Sequence, residues 1–320
     1  MTALPNGPLH PSKRALGLVL PGCFCLLALA CFSGEMRQVR WVSLMILFSV
    51  GVLLPLAQGL LPWAFRMPLQ GVHRLFVLLL LAFSLLFDLR GLNASLTAIP
   101  WFLLTGWTAA RSIWSWKNQP DFSPASLCLL SAAAFPFVGA SWLLAHQAGW
   151  MPFGFDAVIV LLTAAHFHHA GFTLPLMAGL LAHQQPGRWT AVSAALVLAG
   201  VPLVAAGITC THFGLLTWVE PLSVTVLVIG ALGVATAQIR LGIMSRQRAA
   251  CRFLWVLSGT SLLAAMFLAW GYGVRLLWPQ LALSIPGMWA VHGSLNAFGF
   301  GLLGIWAWRI GSEQPTNSHS

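Results

Sequence analysis

Stretches of about twenty mostly apolar residues recur along the whole chain, at 15–33, 41–64, 73–87, 91–110, 126–146, 155–181, 189–211, 215–239, 253–277 and 284–308. An α-helix rises about 1.5 Å per residue and the hydrocarbon core of a bilayer is about 30 Å thick, so each is a candidate membrane span. Only 7% of the 320 residues are charged and 58% are apolar, with a mean hydropathy of +0.84. A soluble domain carries about 25% charged residues and needs them to face water. The reading is an all-α, polytopic transmembrane helix bundle of about ten spans. The third stretch is short, and "DLRGLN" separates it from the fourth, so these two can also form a broken pair.

No linker or long polar insert divides the chain, which reads as a single integral membrane domain over 1–320, with short tails at 1–14 and 309–320. Lys13 and Arg14 before the first apolar run also resemble a signal sequence, but "ALAC" is a poor cleavage site and an uncleaved first helix is preferred.

The sixteen Lys and Arg against six Asp and Glu do not point to nucleic acid, because they stand singly or in small groups between apolar stretches. That is the pattern of topology signals, since Lys and Arg are retained on the cytoplasmic side. With ten spans and the N-terminus inside, that side collects Lys13, Arg14, Arg66, Arg74, Arg111, Lys117, Arg188, Arg240, Arg246, Arg248, Arg252 and Arg309. The other side holds only Arg37, Arg40, Arg90 and Arg275. Both termini are therefore expected in the cytoplasm, and the lipid bilayer is the first partner. The tryptophans at 101, 107, 114, 116, 142, 150, 218 and 278 mostly fall near span ends, as interfacial belts do. The six cysteines show no paired CxxC spacing and read as small buried helix residues. No P-loop, GxSxG or HExxH pattern occurs.

Polar residues inside spans are costly and are functional candidates by default. In "AAHFHHAGFTLPLMAG" (164–179), His166, His168 and His169 fall inside the sixth span, His166 about 15 Å deep. Glu220, followed by Pro221, is expected one to two turns below the outer surface. In "HGSLNAFGFGLLG" (292–304), His292 and Asn296 are four apart and share a helix face. His212 stands at the rim. His166 and His169, three apart, can reach one centre, whereas His168 points elsewhere. Pro175 clashes with the carbonyl of Gly171 and is expected to kink the helix there. Residues 155–308 thus read as a functional half with a polar site in the outer half of the bilayer. Asp88 and Arg90 in "FDLRG" read as a polar turn.

At "HFHHAGFTLPLMAG" and "HGSLNAFGF" the sequence resembles the YndJ-like family of bacterial membrane proteins, and "GLLTWVEPL" is similar to that family's Glu-bearing segment. The resemblance covers about residues 155–308 and places the chain in the bacterial cytoplasmic membrane. Carried over residue by residue, it points to His166, His168, Gly171, Phe172, Glu220, His292, Asn296 and Gly299. His169 departs from the pattern, which often has an aromatic residue there. Some members of the family are called transporters.

Three functions stay open. A metal-dependent intramembrane enzyme would hold Fe, Zn or Cu with His166, His168, His292 and Glu220 and act on a lipophilic small molecule. Its catalytic residues would be Glu220, His292 and Asn296, with His169, His212, Phe172 and Gly171 around the substrate. A proton-coupled small-molecule transporter would use the histidines and Glu220 as a relay. A haem or pigment binder would use His166 or His292 as an axial ligand.

Overall fold

The computed structural model describes residues 37–68 and 71–312. The expected first span at 15–33, the tail 1–14 and residues 313–320 lie outside the described residues. Every other apolar stretch is helical, and no strand occurs among the described residues. Helix α1 (Arg37–Phe48) passes into a π-helical stretch, Ser49–Leu53, and then a short helix, Leu54–Ala57. Then come α2 (Val72–Leu86), α3 (Leu92–Asn118), α4 (Pro124–Ala148), α5 (Ala157–His169), α6 (Thr173–Gln184), α7 (Arg188–His212), α8 (Val219–Met244) and α9 (Ala249–Gly273). The chain ends in two π-helical stretches, Met288–Gly293 and Leu295–Leu302, followed by α10 (Leu303–Ser312).

Six of these segments are long and apolar enough to cross a membrane by length and composition: 40–60, 124–148, 157–184 (α5 with α6), 188–212, 219–244 and 249–273. Helix α2 is apolar but shorter, as expected for the third stretch.

Local signals set the boundaries. Ser123 accepts a hydrogen bond from the Ser126 N–H at the start of α4, with Pro124 at the first helical position, where a missing N–H costs nothing. Gly149, at φ 71°, ends the same helix in the left-handed conformation.

Helix α8 packs along both α7 and α9, and α4 packs against α3, α5 and α6. The last segment lies against α9, and Phe298 packs on Phe48 of α1 with ring centroids 4.7 Å apart. Trp107, Phe253 and Phe267 are exposed, as residues facing lipid are. Asp88 and Arg90 form an exposed turn between α2 and α3, with Nη2 to Oδ1 at 3.4 Å.

Two expectations are corrected. Trp101 is 1% exposed and lies inside the bundle, not at an interface. Glu220 falls in the first turn of α8, which begins only at Val219, so it sits at the end of its helix while His166 lies nine residues into α5.

Candidate functional site

The histidines lie where helical geometry fails. Pro175 has no N–H to give the carbonyl of Gly171, and the chain leaves the α-helix over residues 170–172, between α5 and α6. The break is closed by other bonds: Gly171 N–H to the His166 carbonyl at 3.0 Å, Phe172 N–H to the His169 carbonyl at 3.1 Å, and Thr173 Oγ1 to that same carbonyl at 2.8 Å. Gly171 is required here, because a Cβ would lie 2.8 Å from the Phe167 carbonyl oxygen. Phe172 is fully buried beside it. The π-helical stretches at 49–53 and 295–302 pack on each other and on α5. Three irregular segments therefore meet at the histidines. Such backbone is tolerated at membrane depth where protein or a cavity surrounds it, and π-helical turns are frequent at functional sites.

The hydrogen bonds fix the tautomers, since a carbonyl can only accept. His166 donates Nδ1–H to the Leu162 carbonyl at 2.8 Å, His292 donates Nδ1–H to Ala265 at 2.9 Å, and His169 donates Nε2–H to Met45 at 2.9 Å. Each ring is held through one nitrogen; the other is unspent in His166 and His169, whereas in His292 it faces the Asn296 amide. The free Nδ1 of His169 is buried without a hydrogen-bond partner among the described residues. His166 is exposed among the described residues, its ring bonded back onto its own helix. His166 is within electrostatic range of both His169 and His292. The Asn296 amide Nδ2 lies 3.2 Å from His292 Nε2 and donates to the His292 carbonyl at 2.9 Å.

His168 has a different role. It donates Nδ1–H to the Ala164 carbonyl at 2.7 Å, and its Nε2 accepts from the indole N–H of Trp101 at 3.0 Å. Both ring nitrogens are used and the side chain is fully buried, so no lone pair is left for a metal. Ser49 Oγ donates to its backbone carbonyl at 2.7 Å. Gly139 of α4 makes room for the ring, since a Cβ there would meet Nδ1 at 2.6 Å. Gly139→Ala is therefore expected to destabilise the protein by about 1–3 kcal/mol through overpacking, read as a lowered melting temperature in detergent.

Glu220 is held elsewhere. Arg275 binds both carboxylate oxygens, Nη1 to Oε1 at 2.5 Å and Nη2 to Oε2 at 3.3 Å, and its guanidinium lies 4.3 Å from the Tyr272 ring centre. Burial pulls the Arg275 pKa down, but the hydrogen bond and charge of Glu220 outweigh it and raise the value above its ordinary level. His212 sits at the rim, 3.1 Å from the Phe153 carbonyl and stacked on Phe155. The expected convergence of Glu220 and His168 with His166 and His292 is thus not formed. Among the described residues, no three His, Cys, Asp or Glu are placed to hold one metal ion. The donors present do not fit a closed metal centre.

Trp101, Gly139, Ser49 and Arg275 were not singled out as partners of the site from sequence. Trp101 carried a usable signal: it lies nine residues into α3, about 14 Å along the helix and too deep for an interfacial belt. Gly299, Gly301 and Gly304 have GxGxxG spacing but follow no strand. They lie in the π-helical to α-helical segment, with Gly299 packed on Ser261 and Gly304 on Ser258.

The chain is 29% identical over 192 residues to the uncharacterized membrane protein YndJ of Bacillus subtilis (strain 168). That alignment covers 57% of this chain and 32% of the relative, so the chain spans about a third of the length of the curated relative it matches. No solved structure matches it. The description of the YndJ-like proteins as a family fits residues 40–300, which contain the α5–α6 break, Glu220 and the His292–Asn296 pair. The chain is a multi-pass membrane protein that belongs to the YndJ-like family.

Proposed function

We propose that the protein is a proton-coupled carrier of a small molecule, in the bacterial cytoplasmic membrane with both termini inside. The observation that carries this reading is the set of three imidazoles, His166, His169 and His292, each anchored by one N–H where three helices are interrupted, with the second ring nitrogen unspent in His166 and His169 and facing the Asn296 amide in His292. A neutral imidazole held in this way takes up a proton at its free nitrogen without breaking its anchor, because both ring nitrogens of the cation are donors. The ring need not turn, so a proton passes between fixed positions. Interrupted helices at the site supply the second requirement of a carrier, a backbone that can rearrange around a bound solute. Asn296 orients His292, and His168 with Trp101 forms the wall that holds α5 in place.

The test uses the purified full chain in vesicles that contain a pH-reporting dye. Gradients of small organic acids, amines and lipophilic solutes are imposed in turn. At least one solute class is expected to move protons, and His166→Ala and His292→Ala are expected to abolish that movement. Proton movement that is equal in wild type and both variants would overturn the reading. A near-stoichiometric metal in the wild type that His292→Ala loses would also overturn it, in favour of a metal-dependent enzyme acting on a lipophilic substrate. That second reading is favoured by one feature: an imidazole whose other N–H is held by a carbonyl is oriented as metal ligands usually are.

A further inference from the structure

At the end of the bundle that carries Arg188, Arg240, Arg246, Arg248 and Arg252, a cavity of about 550 Å³ opens between the α6–α7 turn and the last two turns of α8. Its size is that of a small-molecule site, about 300–1,000 Å³. Its wall includes Gln185, Trp189, Thr190, Thr236, Arg240 and Ser245. Among the described residues, Arg240 uses only Nε, 3.2 Å from Met244 Sδ, and both terminal amino groups of its guanidinium are without a hydrogen bond. Ser245 Oγ is buried and also has no partner. The hydroxyls of Thr190 and Thr236 are already spent on backbone carbonyls at 2.7 and 2.9 Å. Trp189 is 65% exposed beside them. Among the described residues no carboxylate lines this wall, and the single acid of α8, Glu220, is bound to Arg275 at the opposite end of its helix. The cavity therefore holds an uncompensated cation and an unspent hydroxyl.

We propose that this cavity binds a phosphate group, gripped by the Arg240 guanidinium and the Ser245 hydroxyl, with Trp189 packing on the organic part of the ligand. A guanidinium presents paired N–H donors that match two phosphate oxygens. Basic pockets between helices at headgroup level take anionic lipid headgroups, and an exposed tryptophan suits that level. A soluble phosphate ester offers the same chemistry.

Native mass spectrometry of the full chain separates these sources. Titration with phosphatidylglycerol is expected to load one lipid saturably, whereas diacylglycerol, which keeps the chains and lacks the phosphate, is not retained. Arg240→Gln is expected to weaken loading about tenfold, the loss of one charge-assisted pair. Arg246→Gln, a basic neighbour outside the wall, should leave it unchanged. If Arg240→Gln fails to fold, Ser245→Ala is read in its place and is expected to weaken loading in the same direction. Displacement of the lipid by millimolar glycerol 3-phosphate identifies a soluble ester as an occupant, and retention of the lipid identifies a headgroup site; both uphold phosphate binding. Equal retention of diacylglycerol and phosphatidylglycerol overturns the proposal. So does an equal effect of Arg240→Gln and Arg246→Gln, which would show diffuse surface charge in place of a site.

Discussion

Arg275→Ala is expected to destabilise the protein by about 3–5 kcal/mol, as removal of one partner of a buried ion pair generally does. The cause lies in what is left behind. Glu220 is 1% exposed, and without Arg275 its carboxylate keeps no cation among the described residues. Glu220→Gln should cost less, because an amide oxygen still accepts from Arg275 and no charge is stranded. Replacing both residues with leucine should recover much of the loss, since the desolvation penalty then disappears with the charges. The measurement is unfolding by titrated SDS in mixed micelles, with the two single variants and the double variant forming a cycle. A change below about 0.5 kcal/mol for Arg275→Ala would mark the pair as an ordinary surface contact. The pair ties the start of α8 to the loop after α9, and α9 supplies the Ala265 carbonyl that holds His292. Loss of the pair is therefore also expected to loosen the histidine cluster.

The second large effect is expected at Trp101. Trp101→Ala removes a fully buried indole from between α3 and α5, at an expected cost of about 3–5 kcal/mol. Trp101→Phe separates packing from hydrogen bonding. It keeps most of the ring volume but leaves His168 Nε2 buried with no donor, which should cost about 1–3 kcal/mol. A Phe variant as stable as wild type would show that the indole N–H is not what satisfies His168. Neither change touches the second ring nitrogens of His166, His169 and His292. Proton movement in vesicles should therefore persist in Trp101→Phe at temperatures where it remains folded.

Much of the site was visible in the residues themselves. The three-residue spacing predicts His166 and His169 on one helix face with His168 turned away; in the structure His168 and His169 are both buried and His166 is exposed. Pro175 announced the interruption, and it lies where the missing N–H places it, at the Gly171 carbonyl. Asn296 stands beside His292, as a four-residue spacing requires. All of these are local relations, readable from helical period alone.

What was not legible is non-local. His168 stands in the expected ligand set by its place in the motif, but its partner Trp101 is 67 residues away. Glu220 looked like a lone carboxylate because Arg275 is 55 residues away and had been read only as a loop charge. His169 looked like the weakest member and instead keeps a buried nitrogen without a partner, because Met45, 124 residues away, takes its other one.

The sequence by itself determined that this chain lives in a bilayer as a bundle of helices, where its helices run and where one of them breaks. Hydropathy summed over twenty residues and the lost N–H of a proline are properties of the chain before it folds. Only the tertiary structure decided which polar side chains are spent on each other and which keep a free atom. In a membrane interior every buried polar group must find a partner, and which partner it finds depends on which helices pack together.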